Sequence, residues 1–408
     1  MLFGDERDDD DNSPAAPSET STGSGARTTT PAPGSPPKAG AASGGAPSAG
    51  AATDGGQLGD AGAIAAGGVI GSAGEPGAGG AYPCGCADSE ICCDDVCVDP
   101  ESDPANCGGC GHDCLGGQCS AALCQPVLLW QAPEGRTIKD IDADATNVYF
   151  LDRPVTNQGF GTVNRIWKIA ETGGDPLEFA SEITLPQTEI TVGGGFVYWA
   201  YWTFGNRIRR VPSSGGMVET FTESAGLHCR HMFATEQALY WTNTTTSGAV
   251  RAAPHDSAAT ITTLASDLSG GGEVIVQDDW AFFAYASTLA KVPIGGGDVA
   301  PLLTNEPKLG SFAVFGDTVY FGMTTSESVY AMSAAGDALR PFCDTGGSVG
   351  ELAADPSGLY AAGDGLTRCA HDDGESPVRL HDQVVSTIAL SDSFIYLSTG
   401  RELFKLAK

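Results

Sequence analysis

From about residue 127 onward the chain repeats one pattern of apolar and polar positions. Seven aromatic anchors, Tyr149, Tyr198, Tyr240, Phe282, Tyr320, Tyr360 and Tyr396, recur at a mean spacing of about 41 residues. An aliphatic residue precedes each one, from Val148 and Val197 through to Ile395. Eight and six residues before each anchor stand further apolar pairs, such as Ile141/Ala143, Ile190/Val192 and Phe312/Val314. Apolar residues two apart are strand periodicity with one face buried. Asp144 to Asn147, Gly193 to Gly195 and Phe315 to Asp317 supply turn residues between the two runs. Each unit therefore opens with a hairpin.

A third alternating run follows, as in Ile166 to Ile169, Ile208 to Val211 and Leu403 to Leu406, and then a Gly-rich turn and a short fourth run such as Leu177/Phe179. Four antiparallel strands in about 40 residues make one propeller blade. The seventh unit stops after its third strand, while the apolar stretch Val127 to Trp130 stands unused before the first. Pairing that stretch beside Leu403 to Leu406 closes a ring and removes the exposed edges of an open array. The reading is an all-β chain with a seven-bladed β-propeller over 125–408, six or eight blades being the alternatives. A β-solenoid or sandwich array does not predict a final unit whose fourth strand lies at the other end.

The text before the repeat differs. Residues 1–83 are Gly, Ala, Ser, Pro, Thr and Asp with few large apolar side chains, and cannot bury enough surface to offset chain entropy. They are read as a disordered tether, and the acidic run Asp8 to Asp11 within it as a solvated segment. Ten of the 13 cysteines fall in 84–124: Cys84, Cys86, Cys92, Cys93, Cys97, Cys107, Cys110, Cys114, Cys119 and Cys124. That density indicates a disulfide module and an oxidising compartment. Zinc is the rival, since Cys107 and Cys110 are spaced CxxC, but one histidine (His112) and the lack of a second separated CxxC pair favour five bridges. In the propeller, Cys343 and Cys369 are candidates for a bridge between neighbouring blades, which leaves Cys229 unpaired.

Fifty-one acidic against 21 basic residues give a formal charge of −30, which excludes nucleic acid and anionic lipid surfaces as partners. No run approaches the roughly 18 apolar residues of a membrane-spanning helix. The start MLFGDERDDDDNSP carries no readable signal peptide. Against the cysteine density this leaves an export signal upstream of Met1, or one already removed, and an extracellular or envelope-tethered location.

The stretch DPESDPANCGGCGHDC resembles a cysteine-rich module of large secreted myxobacterial proteins, related to the plant Stig-type module, with a D-P-x-N-C-G-x-C-G core. The resemblance covers about 40 residues and implies an extracellular setting and no known chemistry. The strings at Val197 to Trp199 and Tyr240 to Asn243 look like secreted myxobacterial propellers and, more distantly, YWTD- and TolB-type propellers. The recurrent Asp after YWT is missing here, so receptor-type ligand binding is not implied.

Candidate chemistry concentrates in blades one to three. The long connections Leu151 to Asn164 and Ala200 to Asn206 bring Phe160, Tyr201, Trp202 and Phe204 toward one sector, where flat amphipathic rings suit sugars or peptide side chains. Inter-blade packing is the plainer reading. His228 and His231 are further ligand-contact candidates; three apart on an extended chain, they face opposite sides and cannot chelate one metal without a bend. Asp140, Asp142 and Asp144 alternate onto one face and could suit calcium, although Asp144 fits the turn. No nucleophile elbow, phosphate loop or HExxH string occurs. The expectation is a monomeric, non-enzymatic binding protein with a protein or glycan partner and no cofactor. The alternative is a propeller lyase or hydrolase with a metal or polar cluster at the central channel.

Overall fold

The structure, a computed structural model, describes residues 84–408 except 156–162, 184–186, 202–206, 224–227, 244–247, 307–308, 324–325, 373 and 375. It is a seven-bladed propeller of four-stranded antiparallel sheets preceded by two short hairpins of the cysteine-rich region. Blade 1 shows the plan: inner strand Arg136–Ala143, then Asn147–Pro154, Val163–Ala170 and outer strand Leu177–Ile183. Each inner strand lies against that of the next blade, and blade 7 against blade 1.

Ring closure follows the predicted exchange. Val127–Gln131 pairs antiparallel with Glu402–Ala407 as the outer strand of blade 7, with Leu403 opposite Trp130 and Lys405 opposite Val127. Trp130 then packs on Phe150 and Trp167 of blade 1 at ring separations of 4.8 and 5.9 Å. The junction is thus sealed by backbone bonds on one side and aromatic burial on the other.

Between blades, the anchor tyrosines pack in apolar layers and point their hydroxyls toward the turn side. Tyr198 of blade 2 bonds Nδ1 of His255 in blade 3 at 2.8 Å, and Nε2 of His255 lies 2.8 Å from the Thr235 carbonyl. Blades 5 and 6 repeat the device, with Tyr320, His371 and the Asp355 carbonyl. Gly194 makes room for it: at φ +55° it sits so close to the His255 ring that a Cβ would lie 2.0 Å from ring carbon. In blade 1, Tyr149 donates instead to Asp144 at 2.9 Å.

The long connection expected from Leu151 to Asn164 is shorter than its sequence suggests. The second strand runs to Pro154 and the third starts at Val163, because Leu151 is core and the buried Asp152 is held by Arg136. Ten cysteines of the N-terminal region form five bridges: Cys84–Cys92, Cys86–Cys97, Cys93–Cys110, Cys107–Cys119 and Cys114–Cys124. Cys343–Cys369 joins the outer strand of blade 5 to the third strand of blade 6, and Cys229 is a buried free thiol. The cysteine-rich region docks at the end of the disc that carries the turns between third and outer strands. There, Leu115 and Gly116 lie beside Thr172 to Gly174, and Nε2 of His112 sits 2.8 Å from the Lys408 carbonyl. No helix among the described residues is long and apolar enough to cross a membrane.

Candidate functional site

The inner strands surround a cavity of about 930 Å³ at the opposite end of the disc, where second strands lead to third strands and outer strands lead to the next blade. Its wall is built by register. Nine residues before each aromatic anchor stand Asp140, Glu189, His231, Glu273, Ser311, Glu351 and Thr387, one from every blade, and all seven line the cavity. A strict period-two strand would send the preceding residue away from the channel. Irregularities in the pairing at this level, in blades 1, 2, 3, 5 and 6, re-aim the chain there. Consequently Lys139, Arg230, Gly272, Gly310, Gly350 and Ser386, each one residue earlier, also face the cavity.

The ring has a structural task. Inner strands expose backbone N–H groups along their channel edge, and buried N–H groups need acceptors. Asp140 accepts from the Ile190 amide at 2.7 Å, Glu189 from Met232 at 3.2 Å, Glu273 from Phe312 at 3.0 Å and Ser311 Oγ from Leu352 at 3.1 Å. Glu351 accepts from Ile388, and Thr387 Oγ1 donates to Asp140 at 3.4 Å, which carries the chain of contacts back to blade 1. Six of the seven side chains therefore contact the next blade, and His231 instead pairs back with Glu189 of blade 2. A second tier does the same two residues along, with Asp142 accepting from Val192 and Thr191 from Ala234.

So many carboxyls crowded into one half-buried ring cannot all be charged. Burial, reinforced by Glu189, drives Asp140 well above the usual carboxylate range, and burial with Asp140 and Glu273 nearby does the same to Glu351. Burial pushes Glu273 up to about 7 and Asp142 up to about 6. Burial opposes the charged form of His231, but Glu189, 3.3 Å away, outweighs it and raises the imidazole above its ordinary value. Burial and mutual repulsion thus shift the ring acids as a set toward the protonated form.

Sequence reasoning singled out some of these residues and missed others. His231 lines the cavity, while His228 does not, and the irregular register between Cys229 and His231 separates them. The calcium reading of Asp140, Asp142 and Asp144 is corrected: the first two cap the neighbouring blade, and Asp144 binds the Thr146 and Asn147 amides of its own turn. Among the described residues, the only groups of three or more metal-ligating side chains within 4.8 Å of one another contain the bridged cysteines. Phe160, Trp202 and Phe204 lie outside the described residues, as does the side chain of Tyr201. Glu189, Glu273, Ser311, Glu351 and Thr387 went unnoticed, yet a signal existed: the ninth position before the anchor is polar in all seven units.

No protein-family model matches the chain, and no curated protein sequence matches it. Its likeness is to solved structures. Two structures of virginiamycin B lyase from Staphylococcus aureus, one of them catalytically inactive and with quinupristin, align at TM-scores of 0.54 and 0.55. Both are 12% identical and cover 70% of this chain and 98% of theirs. PorZ, a surface component of the type-IX secretion system of Porphyromonas gingivalis, aligns at 0.51 with 12% identity, covering 68% of this chain and 38% of PorZ. A nidogen/laminin complex follows at 0.40 and 17%, over 48% of this chain and 76% of that one. At such identities the likeness is one of fold.

Proposed function

We propose that this is a non-enzymatic binding protein, exported to an extracellular or envelope setting and monomeric, that takes a protein or glycan ligand at the cavity mouth. The observation that carries the reading is the cavity itself: about 930 Å³, lined by charged, hydroxyl-bearing and aromatic side chains, and set in the face built from connecting loops. Its carboxyls support binding over catalysis, because those whose contacts are resolved are spent as acceptors for backbone amides rather than poised against one another as acid and base. Phe160, Trp202 and Phe204 fall in sequence between the second and third strands of blades 1 and 2, and Tyr201 ends the second strand of blade 2; these four enter the proposed surface as ligand contacts on the ground of sequence alone. Six disulfides support the oxidising compartment.

The test is the full chain on glycan and surface-protein arrays, with Trp202→Ala and Arg153→Ala alongside. Selective binding weakened in at least one variant is expected. Undiminished binding in both, or no binding at all, would overturn the proposed surface. Conversion of a captured ligand into product, or activity dependent on an added divalent metal, would establish the lyase or hydrolase reading in its place.

A further inference from the structure

Three cations stand out in this acidic molecule. Lys139, Arg153 and Arg230 all line the cavity, and none is within ion-pairing distance of a carboxylate among the described residues. Several cations elsewhere are engaged: Arg136 holds Asp152, Arg210 holds Glu219, Lys168 and Lys405 cap carbonyls of Ser213 and Glu171, and Lys291 lies over Trp280. The three are placed independently. Lys139 and Arg230 occupy the re-aimed position of the inner strands of blades 1 and 3, and Arg153 stands across from Thr137 on the second strand of blade 1.

The far wall is built differently. Blades 4, 5 and 6 carry Gly272, Gly310 and Gly350 where blades 1 and 3 carry the cations. The cavity thus has a cationic side and an open side. On the open side Tyr285 presents a ring steadied by Phe283, whose centroid is 5.6 Å away in a stacked arrangement. Further along the wall, the hydroxyls of Ser311, Ser386 and Thr387 are groups that both donate and accept hydrogen bonds.

Each part of the wall answers to part of one ligand class. Guanidinium and ammonium groups bind a carboxylate, with Arg153 and Arg230 able to do so through two parallel bonds. Groups that both donate and accept match hydroxyls, which do the same. An aromatic face packs on the C–H side of a sugar ring. Charged and hydroxyl-bearing side chains make up much of the wall, which disfavours a wholly apolar ligand, for which pockets are lined mainly by hydrophobic side chains.

Building on the binding reading, we infer that the cavity selects an acidic saccharide of the uronate class, its carboxylate on Lys139, Arg153 and Arg230 and its hydroxyls toward Ser311 and Thr387. The experiment is calorimetric titration of the full chain with galacturonate, a galacturonate oligomer, galactose, galacturonate methyl ester, acetate and sulfate. Binding of the monomer or the oligomer is expected, the two arms showing whether a free sugar acid or a chain is preferred, with galactose and the ester at least about tenfold weaker. Lys139→Ala and Arg153→Ala should each weaken the acid about tenfold or more, with unchanged unfolding temperature, and Arg153→Lys should recover part of the loss. Equal binding of galactose or the ester, equal competition by acetate or sulfate, or no binding in any arm overturns the inference. A neutral glycan or a peptide captured on the arrays, with no uronate bound, would sink this inference and leave the binding reading standing.

Discussion

Glu273 gives the buried ring a measurable pH signature. Its carboxyl is pushed up to about 7 from an ordinary 4.5. Below pH 4.5 folded and unfolded chains both hold the proton. Between 4.5 and 7 the unfolded chain releases it while the folded chain keeps it, so stability falls as pH rises and levels off above 7. At 1.36 kcal/mol per pH unit the contribution is roughly 3 kcal/mol. Glu273→Gln keeps an acceptor for the Phe312 amide and cannot ionise. Thermal unfolding should therefore show the variant more stable than the parent at pH 8 and similar at pH 4.5; the same gap at both values would refute the assignment. At this scale the site was hidden in the sequence for two reasons. A polar column is faint in a chain with 51 acidic residues, and a period-two rule cannot foresee the irregularities that turn Lys139 and Arg230 inward.

At the scale of elements, the ties between neighbouring blades beyond apolar packing can each be cut singly. His255→Phe removes the partner of the Thr235 carbonyl and one partner of the Tyr198 hydroxyl in a buried setting and should cost about 1–3 kcal/mol in chemical denaturation. Tyr198→Phe added to it should cost less than the sum of the two single changes, because both remove one network. Cys343→Ser with Cys369→Ser opens the link between blades 5 and 6 and should lower stability in chemical denaturation by about 2–4 kcal/mol. The strands themselves were legible. Their apolar pairs and anchors recur seven times, and Asp144 to Asn147 reads as a turn from residue chemistry alone. The tyrosine–histidine ties were not, because His255 and His371 sit far along the chain from their partners and appear in only two of the seven units.

For the whole molecule, closure decides whether the seven sheets form one disc. Removing 127–131 exposes the third strand of blade 7 and strips the Trp130 cover from Phe150 and Trp167. Gel filtration should show such a chain as aggregates or as strand-exchanged oligomers rather than as a monomer. Trp130→Ala, which keeps the backbone pairing, should remain monomeric and lose about 2–4 kcal/mol. Closure was the most readable long-range feature, since a repeat that lacks its last strand at one end and has a spare strand at the other admits few arrangements.

That same strand also sets a direction. Val127–Gln131 runs from the end where the cysteine-rich region docks to the end where the cavity opens, so the described part of that region, 84–124, joins the disc on the side away from the mouth. A chain immobilised through residues 84–124 would therefore present the cavity outward to the surrounding solution, like a cup held by its base. Immobilisation through Arg153 or Tyr285 would block it.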